Sequence, residues 1–331
     1  MEFKRFEQPD LREAAILLSK RHSRERSAFP TLKREFEDSR NTEKLLCALL
    51  EKDGSCGLCA YEGEWMQGFL LSRMEYGTTA ERRAYVPYEG MAAAEGVSPE
   101  IYRQLYAQLS RVWLYNGMLR HYAEVPAGYR ETVEAWLKLS FAFQQVYGIA
   151  SLKRAQVSIP EGIAIRRADR RDAEALRGVS HLISSFQAGA PVYAALPPEA
   201  AAEIREGYGG LPEDKDSTVL VAYRGEKLAG FLCADIKSDD TSMMTPQNSF
   251  GVSVCATVPE SRGQGIATAL TGLTMNWALD KGYENAIGDW RIANPHASNF
   301  WPGQGFRPVA YRMFRPIEEA VYWARGRVTG E

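Results

Sequence analysis

The sequence predicts an α/β chain of two tandem domains, and three observations carry that expectation. Its 331 residues exceed what one ordinary core needs and suit two. Two segments roughly 160 residues apart read almost alike, AYEGEWMQGFL from Ala60 and AYRGEKLAGFL from Ala222. The elements around those segments also recur in one order: strand, charged helix, hairpin, strand, long helix, strand, aromatic-rich segment.

The boundaries expected are 1–150 for the first domain, 151–162 for a linker, 163–316 for the second domain and 317–331 for a tail. In the first domain Asp10 stands where an N-cap belongs, and Leu11, Ala14, Ala15 and Leu18 follow at helical spacing. Residues 55–73 read as a hairpin turning at Glu62, Gly63 and Glu64. A long helix is expected over 98–117, with Ser98 as cap and Pro99 at its first position. The second domain repeats the pattern. A strand at 163–166 precedes Asp169 and a helix over 170–186, then a hairpin at 217–236 turns at Arg224, Gly225 and Glu226. The helix over 265–281 carries Ile266, Leu270, Leu273 and Trp277 as a core-facing stripe and ends at Gly282.

Composition narrows the function. Hydrophobic residues make up 45% and charged residues 25%, the balance of a globular chain, and the formal net charge is −2. Each half carries 20 Lys and Arg against 21 Asp and Glu, so neither has the basic excess of a nucleic-acid binder. No stretch reaches the roughly 18 apolar residues needed to span a bilayer, and the start, MEFKRFEQPD, has no signal-peptide core. A cytoplasmic protein, a monomer or homodimer without membrane partners, is the expectation. Five cysteines (Cys47, Cys56, Cys59, Cys233, Cys255) are too few and too odd in number for a disulfide framework. Cys56 and Cys59 fall on an expected strand, where positions three apart face opposite ways, and no second Cys pair or His cluster completes a metal site.

Chemistry concentrates in one segment. A β-branched strand, VSVCATVP over 252–259, runs into the loop ESRGQG and directly into a helix. Such a loop leaves several N–H groups unpaired at one point, where the helix dipole adds partial positive charge. Glycines at 263 and 265 let a diphosphate approach the main chain. A Walker loop would need Gly-Lys-Ser/Thr at its end, which is absent. A dinucleotide fingerprint would need a third glycine and, about 20 positions on in a parallel sheet, an acidic residue, whereas Asp280 lies within the helix itself.

The segment resembles motif A of the GNAT (GCN5-related N-acetyltransferase) superfamily, whose loop reads Arg/Gln-x-x-Gly-x-Gly/Ala, here RGQGIA from Arg262 to Ala267. About 30 residues on, Asn294, Ala297, Phe300, Gly305 and Phe306 match the superfamily's Asn-x-x-Ala-x-x-Phe-Tyr-x-x-x-Gly-Phe. The resemblance implies two domains of GNAT type, each a mixed, mostly antiparallel twisted sheet flanked by helices. It implies acetyl-CoA as co-substrate, with no metal, in a V-shaped gap between strands near 250–257 and 284–290. The cofactor contacts it implies are Cys255, Ala256 and Thr257 on the strand, Arg262, Gly263, Gln264, Gly265, Ile266, Ala267 and Thr268 in the loop, and Asn294, Phe300 and Trp301 beyond it. The activity implied is N-acetyl transfer to a primary amine on a small molecule or peptide, the acceptor entering past 181–212.

The chain departs from the pattern in two places. Trp301 stands where many members have a tyrosine that protonates the leaving thiolate, and indole cannot supply that proton. The strand at 248–257 has no Glu to act as base, which leaves Asp235, Asp289, His296 and Tyr311 as conceivable substitutes and no assigned catalytic residue. A non-catalytic acyl-CoA sensor or scaffold is therefore the rival reading. In the first domain the counterpart of the loop, 89–99, lacks Arg-x-x-Gly-x-Gly; Pro99 removes a donor and Glu95 would repel phosphate. That domain reads as a degenerate copy that binds no coenzyme A.

Overall fold

The computed structural model describes residues 1–77, 82–236 and 242–321. The chain divides into two compact units, one of Met1–Val146 with the segment from Pro308 onward, the other Tyr147–Arg307.

The first unit contains β1 (Glu2–Arg5), α1 (Leu11–Ala28), α2 (Ser39–Leu50), β2 (Ser55–Glu62), β3 (Trp65–Tyr76), β4 (Arg82–Val86), β5 (Met91–Ala93), α3 (Glu100–Tyr115), β6 (Arg120–Pro126), α4 (Arg130–Leu137) and the start of β7 (Ala142–Ser151). Its strands run β1-β2-β3-β4-β6, with β5 on β3. Among the described pairs of this unit β4 and β6 run parallel, and β1-β2, β2-β3, β3-β4, β3-β5 and β6 with residues 310–316 run antiparallel. The α3 helix starts two residues later than its sequence suggests, because Ser98 Oγ accepts the Glu100 N–H from outside it and Pro99 takes the cap position. Its buried face, Tyr102, Leu105, Tyr106, Leu109 and Trp113, packs with Trp136 and Phe141 into an aromatic core.

The second unit contains β8 (Ala164–Arg167), α5 (Ala173–Val179), α6 (Leu182–Ala188), α7 (Pro198–Gly210), β9 (Ser217–Arg224), β10 (Lys227–Asp235), β11 (Ser249–Thr257), α8 (Ile266–Asp280), β12 (Asn285–Arg291) and α9 (Pro295–Gly303). Residues 147–151 of β7 open its sheet, followed in space by β12, β11, β10, β9 and β8. The β8-β9-β10-β11 pairs are antiparallel and β11-β12 is parallel. The last strand, β13 (Arg307–Pro316), pairs from Ala310 to Pro316 with β6 of the first unit, to which it belongs.

Each unit is thus a mixed, mostly antiparallel sheet flanked by helices. The single helix expected over 170–186 is broken. Asp169 and Asp172 form a capping box around a 3₁₀ turn, and Ser180 Oγ bonds back to the Arg177 carbonyl at 2.9 Å, stopping α5 before α6 begins. The stripe expected on α8 is shifted: Ile266 and Leu270 are buried with Ala269, Thr271, Thr274, Met275 and Ala278, whereas Leu273 and Trp277 are only half-buried. No described helix is long and apolar enough to cross a membrane, and all five cysteines are free.

Two buried histidines make the first unit acid-sensitive. His22 meets the Lys33 carbonyl at 2.8 Å, and His121 lies between the Tyr106 hydroxyl and the Met118 carbonyl. Burial lowers both from 6.5 to about 4. Between those values the unfolded chain binds protons that the folded chain refuses, so stability is full above pH 6.5 and is lost as pH falls toward 4. Each histidine accounts for roughly 3 kcal/mol of that loss. Denaturant melts at pH 7 and pH 4.5 are expected to show the drop, and His121→Gln to flatten it; equal midpoints at both pH values would contradict the assignment.

Candidate active site

The site is made where two parallel strands part. β11 and β12 stay in register from Ser249↔Asn285 to Val252↔Gly288, and beyond that point β11 pairs only with β10. The cause is visible on the other edge of β11. Cys233 faces Val254 while Ala234 faces Val252, so Ser253 is an inserted bulge residue at the parting point. A bulge bends its strand and increases twist, which swings residues 254–257 away from β12. Their β12-side main-chain groups open onto the gap.

The chain leaves β11 through Val258 and the 3₁₀ turn Pro259–Ser261, then enters α8. Gly265 is the N-cap at φ 81 and Gly263 lies at φ 73, a left-handed conformation that side chains rarely adopt. The helix has no side-chain cap. Its first repeating bond is Ala269 N–H to the Gly265 carbonyl, and the N–H groups of 263–268 find no acceptor among the described residues. A Cβ at Gly263 would meet nothing within 4 Å, so the space in front of the loop is open. Six free donors on a helix start, facing open space, suit a diphosphate.

A cleft of about 390 Å³ joins these parts. Of the residues singled out by sequence, Cys255, Ala256, Thr257, Arg262, Gly263, Ala267, Asn294, Phe300 and Trp301 line it together. Gln264, Gly265, Ile266 and Thr268 do not. Ile266 is turned into the core, Thr268 is exposed, and Gln264 is held by Arg224 through its side-chain oxygen and by the Glu260 carbonyl through its amide. Gly265 and Ile266 can offer only their main chain. Burial pushes the Cys255 thiol up to about 12, so it is no nucleophile. Asn294 spends its side-chain oxygen capping α9, accepting from the N–H groups of His296 and Ala297. Trp301 stacks edge-on against Phe300 and Phe306 at ring distances of 4.9 and 5.2 Å.

The sequence named the 181–212 region as a rim without naming its side chains. Leu182, Ile183 and Phe186 of α6 form that wall. The Phe186 ring lies 5.7 Å from the Arg262 guanidinium and 5.5 Å from the His296 ring, spanning the cleft from loop to α9. Their apolar i, i+1, i+4 spacing was a signal, but it is also the spacing of ordinary core packing.

The four conceivable proton carriers do not all belong to one unit. Tyr311 belongs to the first unit, on β13, where it packs on Phe143 at 4.7 Å. Asp289 is exposed on β12, and His296 is exposed at the cleft's rim. Asp235 ends β10 directly beside the parting point. Ser253 Oγ lies 3.2 Å from both Asp235 Oδ1 and the Cys233 carbonyl, and Ser217 Oγ lies 3.5 Å from Asp235. Neither Asp235 nor Ser253 is among the residues lining the cleft, and burial raises the Asp235 carboxyl above the ordinary range.

Comparison with known proteins bears on the fold. Residues 185–306 match the model of the acetyltransferase (GNAT) family. No curated protein is matched by the sequence. Among solved structures, a GCN5-related N-acetyltransferase from Sphaerobacter thermophilus is similar over 96% of both chains at 12% identity, with a TM-score of 0.62. A tandem GNAT protein from the clavulanic acid biosynthesis pathway is similar over 95% of this chain and 97% of its own, at 13% identity and a TM-score of 0.50. At such identities the likeness is one of fold.

Proposed function

We propose that this chain, whose residues 185–306 match the acetyltransferase (GNAT) family model, transfers an acetyl group from acetyl-CoA to a primary amine within its second unit. The observation that carries the reading is the uncapped start of α8, where the N–H groups at 263–268 lack acceptors among the described residues and Gly263 and Ala267 line the cleft beyond a parted strand. Those donors would hold the diphosphate, and the free edge of 254–257 would pair with the amides of the pantetheine arm. Phe300 and Trp301 would pack the thiol end.

The thioester is already activated, so positioning supplies much of the rate. The amine nitrogen adds to the carbonyl carbon, the C–S bond breaks, and coenzyme A leaves as a thiolate. Nitrogen must lose one proton. Ser253 Oγ, at the parting point, can accept it while passing its own to Asp235, the carboxylate to which it is bonded. Trp301 cannot protonate the thiolate, so that proton comes from solvent.

The test is a panel of primary amines with the full chain and acetyl-CoA, following free thiol. Thiol release that depends on both amine and protein supports transfer. Calorimetric binding of acetyl-CoA with no release across the panel would establish the sensor reading instead.

A further inference from the structure

The first unit keeps a cleft in the place where the second has its own, with different chemistry. There β4 and β6 pair in parallel from Arg83↔Arg120 to Val86↔Ala123 and then part. The chain breaks at Pro87, turns through Tyr88–Gly90 and resumes as β5, with Glu124 accepting the Tyr88 N–H at 3.1 Å in the gap. A trough of about 610 Å³ opens between residues 93–99 and 126–132. A neighbouring cavity of about 300 Å³ shares Arg24, Gly128 and Tyr129 with it.

The donors that would cradle a diphosphate are spent or missing here. Val97 N–H bonds the Ala94 carbonyl, Glu100 N–H bonds Ser98 Oγ, Ile101 N–H bonds the Ser98 carbonyl, and Pro99 has none. Two guanidiniums stand in their place, one turn apart on α1. The Arg21 side chain is 4% exposed; Nη1 donates to the carbonyls of Tyr88 and Met91, and Nε faces the Glu25 carboxylate at 2.8 Å. Its Nη2 has no acceptor among the described residues, although Arg21 lines the trough. Glu25 is committed to Arg21 and to the Tyr88 hydroxyl at 2.6 Å. Arg24, half-buried at the waist between the cavities beside Tyr129, forms no ion pair among the described residues. Arg130, at the rim, is paired with Glu134.

We propose that this trough is a second small-molecule site, selective for a monocarboxylate, in which Arg24 and Arg21 Nη2 bind the carboxylate. Two features set the class. Glu95 and Glu131 also line the trough, so a polyanion would be repelled. Tyr102, Val97, Pro126 and Tyr129 supply apolar and aromatic wall for the body of the ligand. A planar guanidinium suits a carboxylate bidentately.

The experiment is calorimetry on the full chain with benzoate and, separately, inorganic phosphate. Saturable benzoate binding is expected in the wild type and unchanged in Gly265→Glu, which alters only the other unit. Arg24→Gln is expected to weaken it at least tenfold, and Tyr129→Phe to retain the fold as a second probe of the same waist, with a smaller loss. Circular dichroism and melting temperature check that each variant is folded. No saturable benzoate binding, or binding unchanged in folded Arg24→Gln, overturns the proposal. Phosphate binding as tightly as benzoate overturns the carboxylate assignment.

Discussion

Replacing Gly265 with glutamate is expected to weaken acetyl-CoA binding more than 100-fold while leaving the protein folded. Two effects combine. At φ 81 any side chain carries strain of roughly 1–2 kcal/mol. The strain is tolerable because a Cβ there meets only Pro160 Cγ, at 3.8 Å, and because a carboxylate at a helix start can accept its unpaired N–H groups. That second point is what removes the ligand: the new carboxylate fills the cradle and repels the diphosphate. Gly265→Ala separates the two, since it adds strain without charge, and should lose no more than about tenfold. Titration calorimetry with acetyl-CoA reads both. Glutamate binding as well as wild type would mean that the start of α8 holds no phosphate.

Asp235→Asn is expected to lower the acetylation rate about 100-fold or more without changing acetyl-CoA affinity. Asp235 accepts a proton only when ionised, and burial raises its carboxyl above the usual range. The wild-type rate should therefore fall on the acid side through a limb displaced upward from an ordinary aspartate. In the variant that limb should vanish, leaving a rate that climbs with pH as the free amine itself becomes deprotonated. Ser253→Ala, which removes the connecting hydroxyl, should shift the profile in the same direction. A variant within threefold of wild type, with its acid limb intact, would remove Asp235 from the mechanism.

Much of this was legible in the sequence, because the elements that matter announce themselves locally. Gly263 and Gly265 mark a left-handed loop before a helix, and Asn294 marks the next helix start by capping chemistry that a short motif records. The matched hairpins at Ala60 and Ala222 repeat because each turn and each buried phase repeats. What stayed hidden depends on pairing between distant residues. The bulge at Ser253 exists only as a mismatch between β10 and β11, and no single-strand pattern contains it. Asp235 looks like any strand-ending aspartate until Ser253 and Ser217 are seen to face it. Tyr311 read as part of the second domain because it follows that domain in sequence, whereas its strand pairs with β6. Arg21 and Arg24 pass for the polar face of a charged helix; only the course of residues 93–99 and 126–132 turns them inward.

The strand that follows the second unit also carries a consequence for synthesis. Residues Tyr147–Arg307 form one uninterrupted stretch, so the ribosome delivers everything that unit needs before it reaches β13. The first unit, begun earlier, lacks the neighbour of β6 until 310–316 emerge. The domain translated first is thus the one completed last, and during that interval β6 presents an unpaired edge of the kind that recruits foreign strands. Truncation before residue 310 would harm the unit built mainly from residues 1–146.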